Sequence, residues 1–409
     1  MRAITNAALL ATLLAAPCAW ADETSETSTS QTVSPQQRTE IEKEVARQLA
    51  ERETSQWKFG VLPDGGGFFA HSPDDYYQFR ILGEAQTVGT LVDADFVNSF
   101  GNGDVSIRRA RVGSYFRLKR KYELFIQYDG APDEGRLVEA RADITWMGGD
   151  LRMRAGRMYV PLSEEGFRPT HDLDTIERFI ALNAVHDLPA EDTQIGVMFH
   201  GKILADDRLT WYIGAWNGNA SRESNARDSN DDREYQIKGT YRISPELRAG
   251  LGLGFSKEED QTLRLSSLNS TPYAAFAVSG ERLAQDADFF WERGRNSLRG
   301  EVLRFDFRDS DTELVGGFLQ FAHFLWGTDT GGLQPLVRIE RAEVERATTT
   351  IEDRTAAINA LTAGVNWYIN DHVRLQVNAF VEDFSRPADL GVRGEGVKPS
   401  LLTQIGMRF

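Results

Sequence analysis

The sequence predicts an all-β protein: a transmembrane antiparallel β-barrel of about sixteen strands, preceded by a short periplasmic helix. Three observations carry this reading. Apolar and polar residues alternate with period 2 from Tyr76 to the last residue. The connections between the alternating runs are short and long by turns. The final run ends on Phe409, with nothing after it.

The N-terminus comes first. Met1-Arg2, the apolar run Ala7 to Ala16 and the triplet Ala19-Trp20-Ala21 describe a secretory signal peptide over 1–21, too short to cross a bilayer as a helix. Cys18, the single cysteine, lies inside it. The mature chain therefore has no disulfide, and a small stapled secreted domain is excluded. Residues 22–56 read as a disordered Ser/Thr/Glu tract followed by a helix. Ser34 is the N-cap, Pro35 takes the first helical position and Gln37 follows three residues after the cap. Ile41, Val45 and Leu49 form one narrow seam, which suits a small amphipathic helix or a short trimeric coiled coil.

Bulk properties narrow the function. A formal charge of −15 argues against nucleic acid, because a surface that neutralises phosphates is basic. Later runs fall short of the length a helical membrane span requires. Low mean hydropathy does not exclude a barrel, which hides its apolar residues by alternation.

The barrel is assigned to 57–409. Tyr235, Ile237, Gly239, Tyr241 and Ile243 alternate with Glu234, Gln236, Lys238, Thr240 and Arg242. Val373, Leu375, Val377, Ala379 and Val381 do the same around Arg374, Gln376 and Asn378. Such a strand has one apolar face and one wet face. Strands are expected near 76–89, 104–118, 121–129, 136–147, 150–158, 193–204, 208–217 and 233–243. The second half continues near 246–256, 284–292, 297–308, 312–325, 333–346, 357–370, 372–384 and 400–409. Tight turns fall at Lys119-Arg120, Gly148-Gly149, Asp206-Asp207, Ser244-Pro245-Glu246, Gly294-Arg295-Asn296 and Asn370-Asp371. Long connections at 90–103, 159–192, 218–232, 257–283, 347–356 and 385–399 alternate with them. Short periplasmic turns and long external loops make that pattern. The 309–311 connection breaks it, being short where a long one is due. Trp146, Trp211, Trp367, Tyr122, Tyr128, Tyr235 and Tyr241 fall on lipid-facing phases and suit aromatic girdles. Phe409 closes an alternating strand in the manner that outer-membrane barrel-assembly machinery reads.

Taken together, these residues resemble the phosphate-selective porins of the O and P type. The anchors are Arg108-Arg109-Ala110-Arg111-Val112-Gly113, Leu124 to Asp129, Arg154-Ala155-Gly156-Arg157 with Pro161, Glu177-Arg178, Ile195-Gly196-Val197 and Gly364 to Asn370. The resemblance implies a homotrimer of sixteen-stranded barrels in the outer membrane of a Gram-negative bacterium, with arginines lining each lumen and the third external loop folded inward. It implies passive passage of small hydrophilic solutes, with anions such as phosphate preferred, in contact with lipid and lipopolysaccharide. Loop length points independently to 159–192 as that inserted loop. One departure stands out. Where the inserted loop returns to the wall, family members tend to be basic, and this chain reads Ala190-Glu191-Asp192-Thr193. The loop holds Glu164, Glu165, Asp172, Asp174, Glu177, Asp187, Glu191 and Asp192 against Arg168 and Arg178.

The inward phase of each strand places Arg80, Arg109, Arg111, Arg141, Arg152, Arg154, Lys238, Arg304, Arg338 and Arg374 on the pore wall, with Arg308 on the same face. Arg168, Arg178, Glu177 and Asp174 are assigned to the constriction loop. Rings of arginine favour anions, unless wall carboxylates and loop acids cancel them. No catalytic constellation, cofactor motif or metal-spaced histidine pair is found. A barrel enzyme is the rival from another class, with His200 its only candidate and no nucleophile beside it. A secreted glycan-binding β-sandwich explains the alternation, but not the loop asymmetry or Phe409.

Overall fold

The computed structural model describes residues 36, 39, 40, 43–45, 47, 56–62, 66–92, 104–131, 135–185, 193–218, 232–265, 275–346, 354–385 and 397–409. The signal peptide, the Ser/Thr/Glu tract and most of the helix seam lie outside these residues. Within the N-terminal unit, Gln36, Thr39, Glu40, Lys43, Glu44, Val45 and Arg47 are helical.

Among the described residues of the second unit, nineteen strands form one antiparallel sheet, and sixteen of them close into a barrel. They are β1 Tyr77–Val92, β2 Val105–Leu118, β3 Tyr122–Asp129, β4 Arg136–Trp146, β5 Leu151–Tyr159, β6 Thr193–Ile203, β7 Leu209–Trp216 and β8 Glu234–Arg242. Then follow β9 Leu247–Leu263, β10 Phe276–Arg293, β11 Asn296–Phe307, β12 Thr312–His323, β13 Gly331–Arg346, β14 Arg354–Tyr368, β15 Val373–Ser385 and β16 Val397–Arg408. The barrel closes where β16 pairs with β1, from Ser400↔Val92 to Arg408↔Glu84. The three remaining strands are Lys58–Val61 and Phe68–His71, a hairpin laid beside β1, and Trp326–Thr328, folded onto the start of β13. At three or four residues they are too short for periodicity to reveal.

Alternation delivers the two faces as expected. Ile237, Leu251, Val302, Leu361, Val365, Val377 and Ile405 are exposed on the outer wall, while Asn366, Gln376 and Asn378 are buried inside. Tyr122, Tyr128, Tyr235, Tyr241 and Trp367 are exposed on the outward phase. Trp146 and Trp211 share that phase and are half-buried.

One sector inverts this rule. Beyond the point where the 257–283 connection was expected to begin, β9 continues through a bulge between Glu258 and Gln261 to Leu263, and β10 starts already at Phe276. Here the interior is apolar: Leu263, Phe276, Val278, Leu303, Phe305, Phe307, Leu314, Val344, Ile358 and Phe384 join one buried cluster. The residues that fill it from within belong to the connection between β5 and β6. Helix α1, Glu164–Phe167, is capped by Ser163 Oγ accepting from Gly166 N–H at 2.8 Å. Helix α2, Ile180–Val185, buries Ile180, Leu182 and Val185 in the cluster next to Phe179. Burying each such side chain is worth about 1.5–3 kcal/mol. The wall makes room for α2 at Gly316, where a β-carbon would collide with that of Ala181. The apolar interior corrects the sequence expectation for Arg304 and Arg308. On β11, Leu303, Phe305 and Phe307 take the inward phase, so Arg304 points outward, bonded to Glu313 at 2.8 Å on the outer wall. Arg308 is exposed and pairs with Glu281 at 2.8 Å.

Candidate functional site

The connection 160–185 enters the barrel and lies against the inner faces of β8–β15. The glycine row Gly250, Gly252 and Gly254 on β9 faces it, and a β-carbon at Gly252 would sit 2.9 Å from the carbonyl oxygen of Leu162. Hydrogen bonds fix the segment along its length. Ser163 Oγ donates to Glu301 at 2.5 Å, and the Glu165 N–H reaches the same carboxylate at 2.9 Å. Lys238 Nζ donates to the Leu162 carbonyl at 2.8 Å, between Asp286 and Asp288 at 2.7 Å each. Arg338 grips both oxygens of Glu165, one at 3.3 Å. The Ile180 N–H donates to Glu340 at 2.8 Å, and the Ile176 N–H to Asn378 Oδ1 at 2.8 Å. Across the lumen, Arg108 on β2 pairs with Glu177. A bulge puts Arg108 there: Gln86 faces Arg109 but Thr87 faces Ile107, leaving Arg108 unopposed.

Among the described residues, two cavities of about 700 and 620 Å³ lie beside the loop and share Glu84, Arg168, His171 and Arg408. The smaller lies between the β1–β5 wall and α1, with Arg111, Arg141 and Arg154 on one side and Glu164, Phe167 and Arg168 on the other. The larger opens toward the turn end, where Arg295, His372 and Arg374 line it. At their junction His171 stands 3.8 Å from Glu84 and 3.5 Å from Asp172, and Arg408 lies 3.3 Å from Asp172.

The three arginines of the β1–β5 wall that line the smaller cavity are paired rather than free. Arg111 bonds Asp129 at 2.9 Å, Arg141 bonds Glu139 at 2.8 Å and also Asp143, and Arg154 bonds Asp143 at 2.7 Å. The geometry is layered. Asp143 is 2 % exposed, whereas Arg141 and Arg154 are 16 % and 15 % exposed, so the guanidiniums stand toward the lumen and the carboxylate lies behind them.

The residues expected on the pore therefore divide. Arg111, Arg141, Arg154, Lys238 and Arg374 reach the cavities, but Lys238 Nζ is consumed by the loop and Arg374 donates to the Leu173 carbonyl at 2.9 Å. Arg338 is buried as a loop anchor. Arg80 lies over the Tyr115 ring at 4.4 Å, and Arg152 faces His200 in register, both away from the cavities. Arg109 sits next to Arg108, its Nε buried without a hydrogen-bond partner among the described residues. Of the loop residues, Arg168 lines both cavities. Arg178 donates to the backbone of Glu165 and Arg168, Glu177 is taken by Arg108, and Asp174 accepts from Gln320 at 2.8 Å. Burial works to raise the Asp174 carboxyl, but Arg299, Arg168, Arg374 and Arg338 outweigh it and hold it below the usual carboxylate range. Asp187 and Ala190 to Asp192 lie outside the described residues. Sequence reasoning missed Arg108, hidden by its bulge, and Arg299, which sits 3.3 Å from Asp174 and 3.7 Å over Phe290. Strict alternation from Arg304 assigned Arg299 to the wrong face.

Comparison with known proteins agrees with this geometry. Residues 90–271 match the family model described as Phosphate-selective porin O and P. No curated protein matches the chain. Among solved structures, OmpF of Salmonella typhi is similar at a TM-score of 0.58 and 11 % identity, over 82 % of this chain and 99 % of that one. An anion-selective porin from Comamonas acidovorans gives 0.53 and 14 %, over 81 % and 100 %. The trimer form of OmpT, an outer membrane protein of Vibrio cholerae, gives 0.55 and 8 %, over 81 % and 99 %. At such identities the likeness is one of fold. With residues 90–271 similar to the phosphate-selective porin O and P family and the strands closed into a sixteen-stranded barrel, the chain is an outer-membrane porin.

Proposed function

We propose that this porin is a passive, non-catalytic channel with a weak preference for small anions, and that it works as a homotrimer in lipid and lipopolysaccharide. The layered ladder is the observation that carries the anion preference. A solute in the smaller cavity meets Arg141 and Arg154 before their shared carboxylate Asp143, while Glu139 lines the cavity beside Arg141, so the near field is only mildly positive and the net charge is small. At physiological salt, charges beyond about 8 Å are screened, which leaves the ladder and α1 in control. Preference is therefore modest, and the acids around Glu164 keep it from being strong. Export through a signal peptide at 1–21 and assembly through Phe409 complete the reading. The trimer is supported by the trimer form of the Vibrio cholerae relative. Against catalysis, His200 stacks on Tyr212 at 5.6 Å, and its Nε2 has no hydrogen-bond partner among the described residues.

The test is the reversal potential of single channels in a potassium chloride gradient. The expected sign is anion-selective, and Arg141→Ala with Arg154→Ala should move it toward zero. A cation-selective sign in the wild type removes the anion preference and leaves the porin in place.

A further inference from the structure

A second surface stands outside the lumen, at the end of the barrel that carries the tight turns. The hairpin Lys58–Val61/Phe68–His71 continues the wall beside β1, from Phe68↔Ile81 to His71↔Gln78. Register puts Phe59, Val61 and Phe68 on the same face as Phe79 and Ile81, the outward phase of the barrel. Phe59 is 75 % exposed, and Trp57, Val61 and Phe68 are exposed with it. This stripe is continuous with the lipid-facing wall: Phe68 meets the ring of Phe409 at 5.4 Å, and Trp57 stacks on Tyr77 at 6.4 Å.

Beside it lies the β2–β3 turn, Lys119-Arg120-Lys121. Lys119 Nζ sits 5.1 Å from the centre of the Tyr76 ring, and Lys121 Nζ 5.4 Å from that of Tyr122. The turn is closed by the Lys121 N–H donating to the Leu118 carbonyl at 3.0 Å. Both central residues are left-handed, with φ of 55° at Lys119 and 54° at Arg120. Asn-Gly is the usual pair there, because a β-carbon is disfavoured. Arg120 pairs with Asp75 at 2.6 Å, so of the left-handed pair it is Lys119, with Lys121 next to it, whose ammonium group is left to face outward from the turn.

We propose that the hairpin and this turn form one phospholipid-binding surface, the aromatic stripe seated at the headgroup–acyl boundary and Lys119 and Lys121 taking lipid phosphates. Trp and Tyr favour that boundary, and lysine stems lie along apolar surface while their ammonium groups reach the polar layer. Basic clusters beside a membrane are drawn to anionic lipid.

Two measurements on the full mature chain decide it, in vesicles of phosphatidylethanolamine and phosphatidylglycerol. Because Cys18, the sole cysteine, falls within 1–21, which the proposed mature chain lacks, Phe59→Cys gives a single site for a fluorophore. Quenching by lipids that carry a nitroxide near the headgroup, with protection from iodide, is the expected result. Iodide quenching alone places the stripe in water, and disulfide-linked subunits through Phe59→Cys assign it to a second copy; either overturns the proposal. For the turn, Lys119→Asn with Arg120→Gly and Lys121→Gln should lower the phosphatidylglycerol retained in native mass spectrometry several-fold. Resistance to SDS reports that the barrel is folded. If that variant does not fold, Lys121→Gln alone, outside the left-handed pair, is read the same way. Unchanged retention in a folded variant overturns the role of the turn.

Discussion

Arg338 on β13 holds both carboxylate oxygens of Glu165, 173 residues earlier in the chain, and both side chains are buried. This pair joins α1 to the wall. Removing one partner strands a buried charge, at a cost of about 3–5 kcal/mol. Arg338→Ala should lower the temperature at which the SDS-resistant band unfolds and raise open-channel noise. Arg338→Met with Glu165→Gln should recover much of the loss.

The lipid face predicts a different asymmetry. Val377→Arg places a charge against acyl chains, which costs about 2–4 kcal/mol near mid-membrane. Gln127→Arg, on the open side of the lumen, should fold normally in vesicles. Asn378 does not serve as the inward control that alternation suggests, because its Oδ1 accepts the Ile176 N–H at 2.8 Å. Equal folding yields for Val377→Arg and Gln127→Arg would show the strand phase to be wrong.

Glu164 stands across the smaller cavity from the arginine ladder, 3.1 Å from Arg248. A unit charge at about 4 Å is worth about 1 kcal/mol in water, so Glu164→Gln should raise the chloride-to-potassium permeability ratio by up to roughly five-fold. The reversal potential reports it. A shift toward potassium contradicts the assignment.

Sidedness follows from the turns. Asp309→Cys, in the 308–311 connection at the loop end, should react with an impermeant maleimide on intact cells. Glu246→Cys, at the turn end, should react only after lysis. The opposite pattern would invert the barrel.

Asp174 titrates below an ordinary aspartate, so its folded-state pKa is depressed. Its contribution is present above the unfolded value of about 3.9 and is lost as pH falls through the folded one. Loop anchoring at this point should therefore survive at pH 5, and channel noise should rise only under stronger acid. In Asp174→Asn the noise should already be raised at pH 7.

Strand number, most boundaries and the outer apolar face were legible in the sequence, because a wall with lipid on one side imposes alternation on every strand, and the short and long connections between them show how the strands are joined. Arg304 and Arg308 show where that logic stops. Alternation locates two faces, and calling the polar one inward assumes a wet lumen. Around β11 the interior is filled by α2, so the apolar side chains turn in. Arg108 was hidden for another reason, since a one-residue bulge resets the phase without any mark in composition. The pairing of Arg141 and Arg154 with Asp143 depends on register between neighbouring strands, which a single strand does not encode.

The apolar cluster around α2 has a mechanical consequence. On the side of β9–β15 the barrel is braced from within by close-packed side chains, as a soluble domain is. On the side of β2–β7 the backing is thinner: the Arg108–Glu177 pair, the arginine ladder that faces the smaller cavity, and a small cluster of Met158, Val160, Met198 and Trp216. Thermal breathing should then concentrate in the thin half, next to the conducting path. The brace sets the dimensions of the smaller cavity much as a rigid jamb sets a doorway, so the width available to a solute is governed chiefly by the flexing of the thinner side.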